Sequence, residues 1–261
     1  MARYQVTLAY DGTHFSGFQR QANGRTVQAV VEHALSRIGW RGTSLLAAGR
    51  TDAGVHASGQ VIAFDLTWKH GCETLQKALN ANLPADVSAL QVRLASPSFH
   101  PRYDALARTY HYRLLCLPAR HPLLERYAWR VWPAPQDDLL AAATQTLRGE
   151  HDFTAFGRPP TSSGSTVRII RHAEWRTAPP FLTLELTGNA FLYHMVRHIV
   201  ALLVAIGQQV LPPQHILAHL SPPYPPVRGM APPCGLTLAH VAYPDDPQSS
   251  NECNIPPDFG V

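Results

Sequence analysis

The chain has 261 residues, 45% hydrophobic and 9% aromatic, enough to build one large or two small cores and too apolar to stay disordered over most of its length. Its formal net charge of +4, with only 15% charged residues, excludes a polycationic DNA-wrapping tail but allows a basic face, whose charge the fourteen histidines would raise beside phosphate. Cys72, Cys116, Cys234 and Cys253 form no C-x-x-C pair, and neither a signal-peptide h-region nor a membrane-length apolar run is present, so a soluble, cytoplasmic protein with reduced thiols is expected.

Arg3 to Tyr10 alternates as a strand does. Val27, Val30, Val31, Ala34, Leu35 and Ile38 fall at helical spacing between the N-cap candidate Thr26 and a stop at Gly39. Short apolar runs at 44–48 and 60–65 predict two strands, 73–82 a helix and 87–93 another strand. The order β-α-β-β-α-β then repeats as a strand at 107–117, a helix at 137–147, strands at 166–176 and 181–186, a helix from Phe191 to about Gln208 and a last strand at 236–243. The reading is therefore α+β, two ferredoxin-like halves (1–105 and 106–243) whose sheets lie side by side around a central cleft suited to an RNA stem. Twelve of the 23 prolines lie beyond residue 211, so 212–233 reads as an irregular loop carrying a short helix near 214–220, and 244–261 as a disordered tail.

Between the strands at 44–48 and 60–65 runs Gly49-Arg50-Thr51-Asp52-Ala53-Gly54-Val55-His56-Ala57. Asp two residues before Gly is ordinary turn chemistry, but Gly54 can supply the positive φ of a tight turn that would fix the direction of the Asp52 side chain. Two further segments, Arg108 to Arg113 and Asn189 to Arg197, add an aromatic and a cation to this acid. In its alternating strand Tyr110 shares a face with Tyr112, while Thr109 and His111 take the other. Arg197 lies near the start of a strongly apolar helix, where burial would call for a carboxylate partner.

The Gly-Arg-Thr-Asp-Ala-Gly-Val-His run resembles, without a gap, the signature of the tRNA pseudouridine synthase A family, and the similarity extends over nearly the whole chain. It is supported by the Phe15 to Gln21 segment, Asn80-Ala81-Asn82-Leu83-Pro84, Phe99-His100-Pro101-Arg102, His151-Asp152-Phe153 and Gly235-Leu236. Two departures are Ala63, where the family pattern has histidine, and His111, where arginine is usual. The resemblance implies an isomerase that converts uridine to pseudouridine at positions 38, 39 and 40 of the tRNA anticodon stem-loop, as a homodimer and without a cofactor or metal. It assigns Asp52 as nucleophile or base, Arg197 as its ion-pair partner, and Tyr110 as the ring that stacks on the uracil and whose hydroxyl helps remove the C5 proton. Arg50 would assist base flipping, since its planar guanidinium stacks on bases and bonds phosphate. Arg20, Gln21, His56, His100 and Arg102 are candidate contacts to tRNA phosphate or sugar.

Asp52 could add to C1′, add to C6 or take the 2′ proton, and the residues do not choose among these routes. His194 and His198 have the i, i+4 spacing of a zinc pair, but Met195 stands where the zincin pattern requires Glu, so they are expected to line the cleft or serve the core. The competing readings are a non-catalytic RNA-binding module, against which stand the missing RNP1 octamer and the framed Asp52, and a metal-dependent hydrolase.

Overall fold

The computed structural model describes residues 1–161 and 163–244, so the tail read at 244–261 lies, beyond Pro244, outside the described residues. Its strands are β1 (Ala2–Tyr10), β2 (Leu46–Ala47), β3 (His56–Leu66), β4 (Val87–Ala95), β5 (Ala107–Leu115), β6 (Trp129–Arg130), β7 (Gly149–Asp152), β8 (Val167–Ala178), β9 (Phe181–Gly188) and β10 (Leu236–Ala242). The α-helices are α1 (Val27–Arg37), α2 (Cys72–Asn82), α3 (Asp137–Gln145), α4 (Met195–Gly207) and α5 (His215–His219).

All ten strands belong to one mixed sheet, in the order β4-β1-β3-β10-β5-β9-β8-β7, with β2 paired to β3 and β6 to β5. Within each half the ferredoxin-like arrangement holds: the first and third strands are antiparallel neighbours, the fourth lies outside the first and the second outside the third. The halves join where β10 runs parallel to the start of β3, pairing Thr237 with His56 and Leu238 with Ala57.

The helices cover one face of this sheet. α1 and α2 close over Tyr4, Val6, Leu8 and Tyr10, whereas α4 closes over Tyr112, Leu184 and Leu186. β10 serves both cores, because Leu236 packs into the second while Leu238 and Val241 pack into the first, joined there by Tyr243 just beyond the strand.

Local sequence explains most elements, and the departures have tertiary causes. Thr26 occupies the N-cap of α1 with extended backbone, yet its hydroxyl makes no cap hydrogen bond. The N–H groups of Val27 and Gln28 donate instead to the carbonyls of Gly17 and Phe18, 3.2 and 2.9 Å away, so a distant loop caps the helix. Gly39 ends that helix segment with φ +97°. α4 starts at Met195 and not at Phe191, because Tyr193 bridges to Arg158 and His194 takes a left-handed φ of 67°. The two-residue β6 and four-residue β7 are too short for any periodicity to show.

Candidate active site

The loop between β2 and β3 is anchored on both sides. Thr51 is buried, its hydroxyl 2.8 Å from the Tyr10 hydroxyl and its carbonyl accepting from the Phe18 N–H at 3.0 Å. Gln60 donates to the Gly49 carbonyl at 3.0 Å, and the Val55 N–H closes the turn onto the Asp52 carbonyl at 3.2 Å. Gly54 has φ +76°, and a Cβ there would come within 2.9 Å of Pro233, so conformation and space both call for glycine. This frame turns the Asp52 side chain into a cleft of about 730 Å³ that opens between the two cores.

In the cleft Arg197 Nη1 donates to Asp52 Oδ2 at 3.0 Å, with the two side chains only 10% and 16% exposed. Oδ1 takes no hydrogen bond among the described residues. The guanidinium is not bidentate on the carboxylate, because its Nε donates to the Ala231 carbonyl at 2.8 Å. The Ala231 N–H returns to the Arg197 carbonyl at 3.1 Å. The proline-rich loop thus holds one side of Arg197, and Asp52 takes the other.

The structure separates the two tyrosines of β5. Tyr112 is fully buried and its hydroxyl donates to the Pro232 carbonyl at 2.7 Å. Tyr110 lines the cleft, its ring edge-on to Phe191 with centroids 5.0 Å apart, and burial pushes its hydroxyl up to about 12. Arg50, His100 and Arg102 also line the cleft, with His100 packed on Tyr103 at 4.3 Å.

Three other sequence candidates stand elsewhere. Arg20 is bound to Glu32 at 2.7 Å and to the Thr43 carbonyl at 3.2 Å, part of a network that includes Gln28 and the Leu45 N–H. Gln21 donates to the Ser16 carbonyl at 2.8 Å. His56 is 4% exposed, its Nδ1 accepting from the Gly12 N–H at 3.0 Å beside Asp11, and burial holds its pKa below the usual value. None of the three lines the cleft. Ala63 is buried opposite Gln5 and Leu46, and His111 sits on the far side of β5 from Tyr110, 3.6 Å from Glu185, so neither departure touches Asp52, Tyr110 or Arg197.

Arg108 is a cleft residue that sequence reasoning left unassigned. Its guanidinium donates to the carbonyls of Ala48, Arg102, Ala105 and Asn189, at 3.2, 2.6, 3.3 and 2.9 Å, and ties together three loops that wall the cleft. Burial lowers its pKa, and no carboxylate pairs with it among the described residues. Its place two residues before Tyr110, on the same face, was the available signal. Among the described residues, Arg158 and Arg168 complete a lining of six arginines, with Arg50, Arg102, Arg108 and Arg197, and Asp52 is the single carboxylate in it. His194 faces this cleft, while His198 Nδ1 lies 2.9 Å from the Gly229 carbonyl.

Residues 7–104 and 143–244 match the sequence model of the tRNA pseudouridine synthase family, and the chain belongs to that family of isomerases. A protein of Streptococcus equi subsp. equi named tRNA pseudouridine synthase A is 41% identical over 220 residues, 83% of this chain and 88% of its own length. Proteins of the same name from Neisseria meningitidis serogroup C and Levilactobacillus brevis are 39% and 37% identical, over 93% and 95% of this chain and 92% and 96% of theirs. Among solved structures, one of a Cbf5-Nop10-Gar1 complex is similar with a TM-score of 0.37 and 15% identity, covering 74% of this chain and 46% of that one. No helix among the described residues is long and apolar enough to cross a membrane.

Proposed function

We propose that the protein isomerises uridine to pseudouridine at positions 38, 39 and 40 of the tRNA anticodon stem-loop, in the cytoplasm and as a homodimer, with residues 1–105 and 106–243 each supplying one wall of the site. The observation that carries this reading is the framed carboxylate of Asp52, the single one among the described residues of a cleft that also holds six arginines, with Arg197 donating to it at 3.0 Å. An RNA backbone needs cations along its path, and the reaction needs one carboxylate at the sugar or the base edge, so charge and chemistry agree.

The substrate itself supplies both leaving group and nucleophile, since the N1 glycosidic bond breaks and the same base returns through C5. Asp52 is the nucleophile or base, with Oδ1 open toward the substrate. Arg197 orients it and offsets its charge when the bound nucleotide excludes water. Tyr110 stacks on the uracil at the cleft floor. Arg50 is exposed at the mouth and, among the described residues, engaged in no hydrogen bond or ion pair, so it is available to brace the strand from which the uridine is flipped at a cost of a few kcal/mol. His100 and Arg102 line the same mouth and contact phosphate or sugar. Arg20 and Gln21 would reach RNA only outside the cleft, and His56, 4% exposed, would act on RNA only indirectly through the loop it supports.

The test is to incubate purified protein with unmodified tRNA transcripts and map pseudouridine by carbodiimide modification and primer extension. Stops at positions 38 to 40 are expected with wild type, and Asp52→Asn should lose about a thousandfold or more in single-turnover rate while still binding tRNA. Absence of those stops with wild type would overturn the activity. An asparagine enzyme within tenfold of wild type would remove Asp52 from the chemistry.

A further inference from the structure

Resting on the reading of Asp52 above, we propose that His194 is the base that removes the C5 proton of the uracil once the base has rejoined the sugar. His194 Nε2 lies 3.4 Å from Asp52 Oδ2, and the imidazole faces the cleft at 26% side-chain exposure. Whether Asp52 works at C1′, C6 or the 2′ position, C5 finishes within two bonds of the carbon concerned. A second proton acceptor beside that carboxylate is therefore within reach of C5 on every route.

The backbone is committed to this placement. His194 is a non-glycine residue at φ 67°, its carbonyl accepts the first hydrogen bond of α4 from the His198 N–H at 3.1 Å, and its ring lies against Tyr193 with centroids 3.7 Å apart. A left-handed residue at the edge of a reaction cleft is the type of outlier that function maintains.

The charge state fits a base. Burial lowers the pKa of the imidazole, Asp52 pulls it upward, and Arg197 and His198 push it down again, so the ring stays largely neutral at pH 7. Arg158, whose backbone bridges to Tyr193, and Arg168 line the same cleft and add positive charge to it. The alternative acceptor, Tyr110, is kept protonated by burial and is a weak base in that form.

The step balances without an oxidant or cofactor. When C5 bonds to C1′ on the C1′ and 2′ routes, the ring holds an N1=C6 bond and a tetrahedral C5 that still bears its proton; on the C6 route C6 instead carries the Asp52 ester and N1 its proton. His194 Nε2 takes the C5 proton, the C5–H electron pair becomes the C5=C6 bond, and either the N1=C6 pair withdraws to N1, which takes a proton from solvent, or the C6–O pair leaves with Asp52. The imidazolium returns its own proton to solvent through its exposed edge.

The experiment compares tRNA transcripts carrying uridine and 5-deuterouridine, at saturating enzyme and single turnover, with wild type, His194→Gly and Tyr110→Phe. Glycine is chosen because it accepts φ 67° without strain and leaves room for added imidazole. The glycine enzyme should be slower by about a hundredfold or more, show a larger C5 deuterium isotope effect than wild type, and regain rate with free imidazole base. The isotope effect is a ratio within one preparation, so partial misfolding does not alter it. A glycine enzyme that is not slowed, is slowed with neither isotope effect nor imidazole rescue, or is inactive even with imidazole overturns the proposal, as does an increased isotope effect in Tyr110→Phe alone. Failure of wild type to form pseudouridine would instead sink the parent reading of Asp52.

Discussion

At the scale of single residues, neighbours decide what a side chain does. Tyr110 and Tyr112 are two positions apart on one face of one strand, yet the first lines the cleft and the second is sealed beneath the Pro232 carbonyl. Tyr112→Phe should leave that carbonyl without its partner and cost about 1–3 kcal/mol of stability, read as a lower midpoint in urea, with kcat unchanged. Tyr110→Phe keeps the stacking ring and should retain tRNA affinity and the larger part of kcat. Tyr110→Ala removes the ring and should weaken binding of the flipped uridine by about 1–3 kcal/mol, roughly ten- to a hundredfold. If kcat fell with Tyr112→Phe and held with Tyr110→Ala, the assignment of the two tyrosines would be reversed.

At the scale of elements, Arg197 works as a three-way joint among α4, the proline-rich loop and the Asp52 turn. Its Nη1 serves Asp52 while its Nε serves Ala231, a division that needs a planar fork of donors. Lysine conserves the charge but places its donors on a single nitrogen and cannot hold both partners in this geometry. Arg197→Lys should therefore lose at least about tenfold in kcat/KM, and Arg197→Met should lose more while also destabilising the fold by about 3 kcal/mol, since a largely buried carboxylate is left without its cation. Single-turnover rates and urea midpoints on the same samples measure both effects. Equal rates for arginine and lysine enzymes would show that only the charge matters.

At the scale of the whole molecule, contacts far apart in sequence lock the two halves. Asp11, next to β1, accepts from Arg126 at 2.8 and 3.0 Å and from the Tyr127 hydroxyl at 3.0 Å, both in the segment before β6. Burial raises the Asp11 pKa, but hydrogen bonds from Thr13, Arg126 and Tyr127 outweigh it and hold the carboxyl well below its ordinary 3.8. A carboxyl depressed in the folded state contributes stability that is fully present above its unfolded value and is lost as pH falls through the folded one. Wild type should therefore lose this increment below about pH 4, and Asp11→Asn should lack it at pH 7 and show a shallower acid decline. Urea midpoints at pH 7 and pH 3 test this, and parallel declines for the two proteins would exclude Asp11 as a contributor.

The β-α-β-β-α-β repeat was legible in the amino-acid order, since alternation and helical spacing are local, and so was the Asp52 turn, since Gly54 carries its conformational reason in its own lack of a Cβ. The surroundings of Arg20 and His56 were not legible, because an isolated arginine or histidine reads the same whether it meets solvent, Glu32 or a buried backbone amide. Only the tertiary structure could seat Arg108 among four carbonyls, make the irregular proline-rich loop the support of Arg197 and Tyr112, and turn His194 toward Asp52. Apart from the Arg108 bonds to Arg102 and Ala105, those contacts join residues tens to more than a hundred positions apart, and sequence periodicity, which records the local face of an element, carries no information about which distant backbone group will meet it.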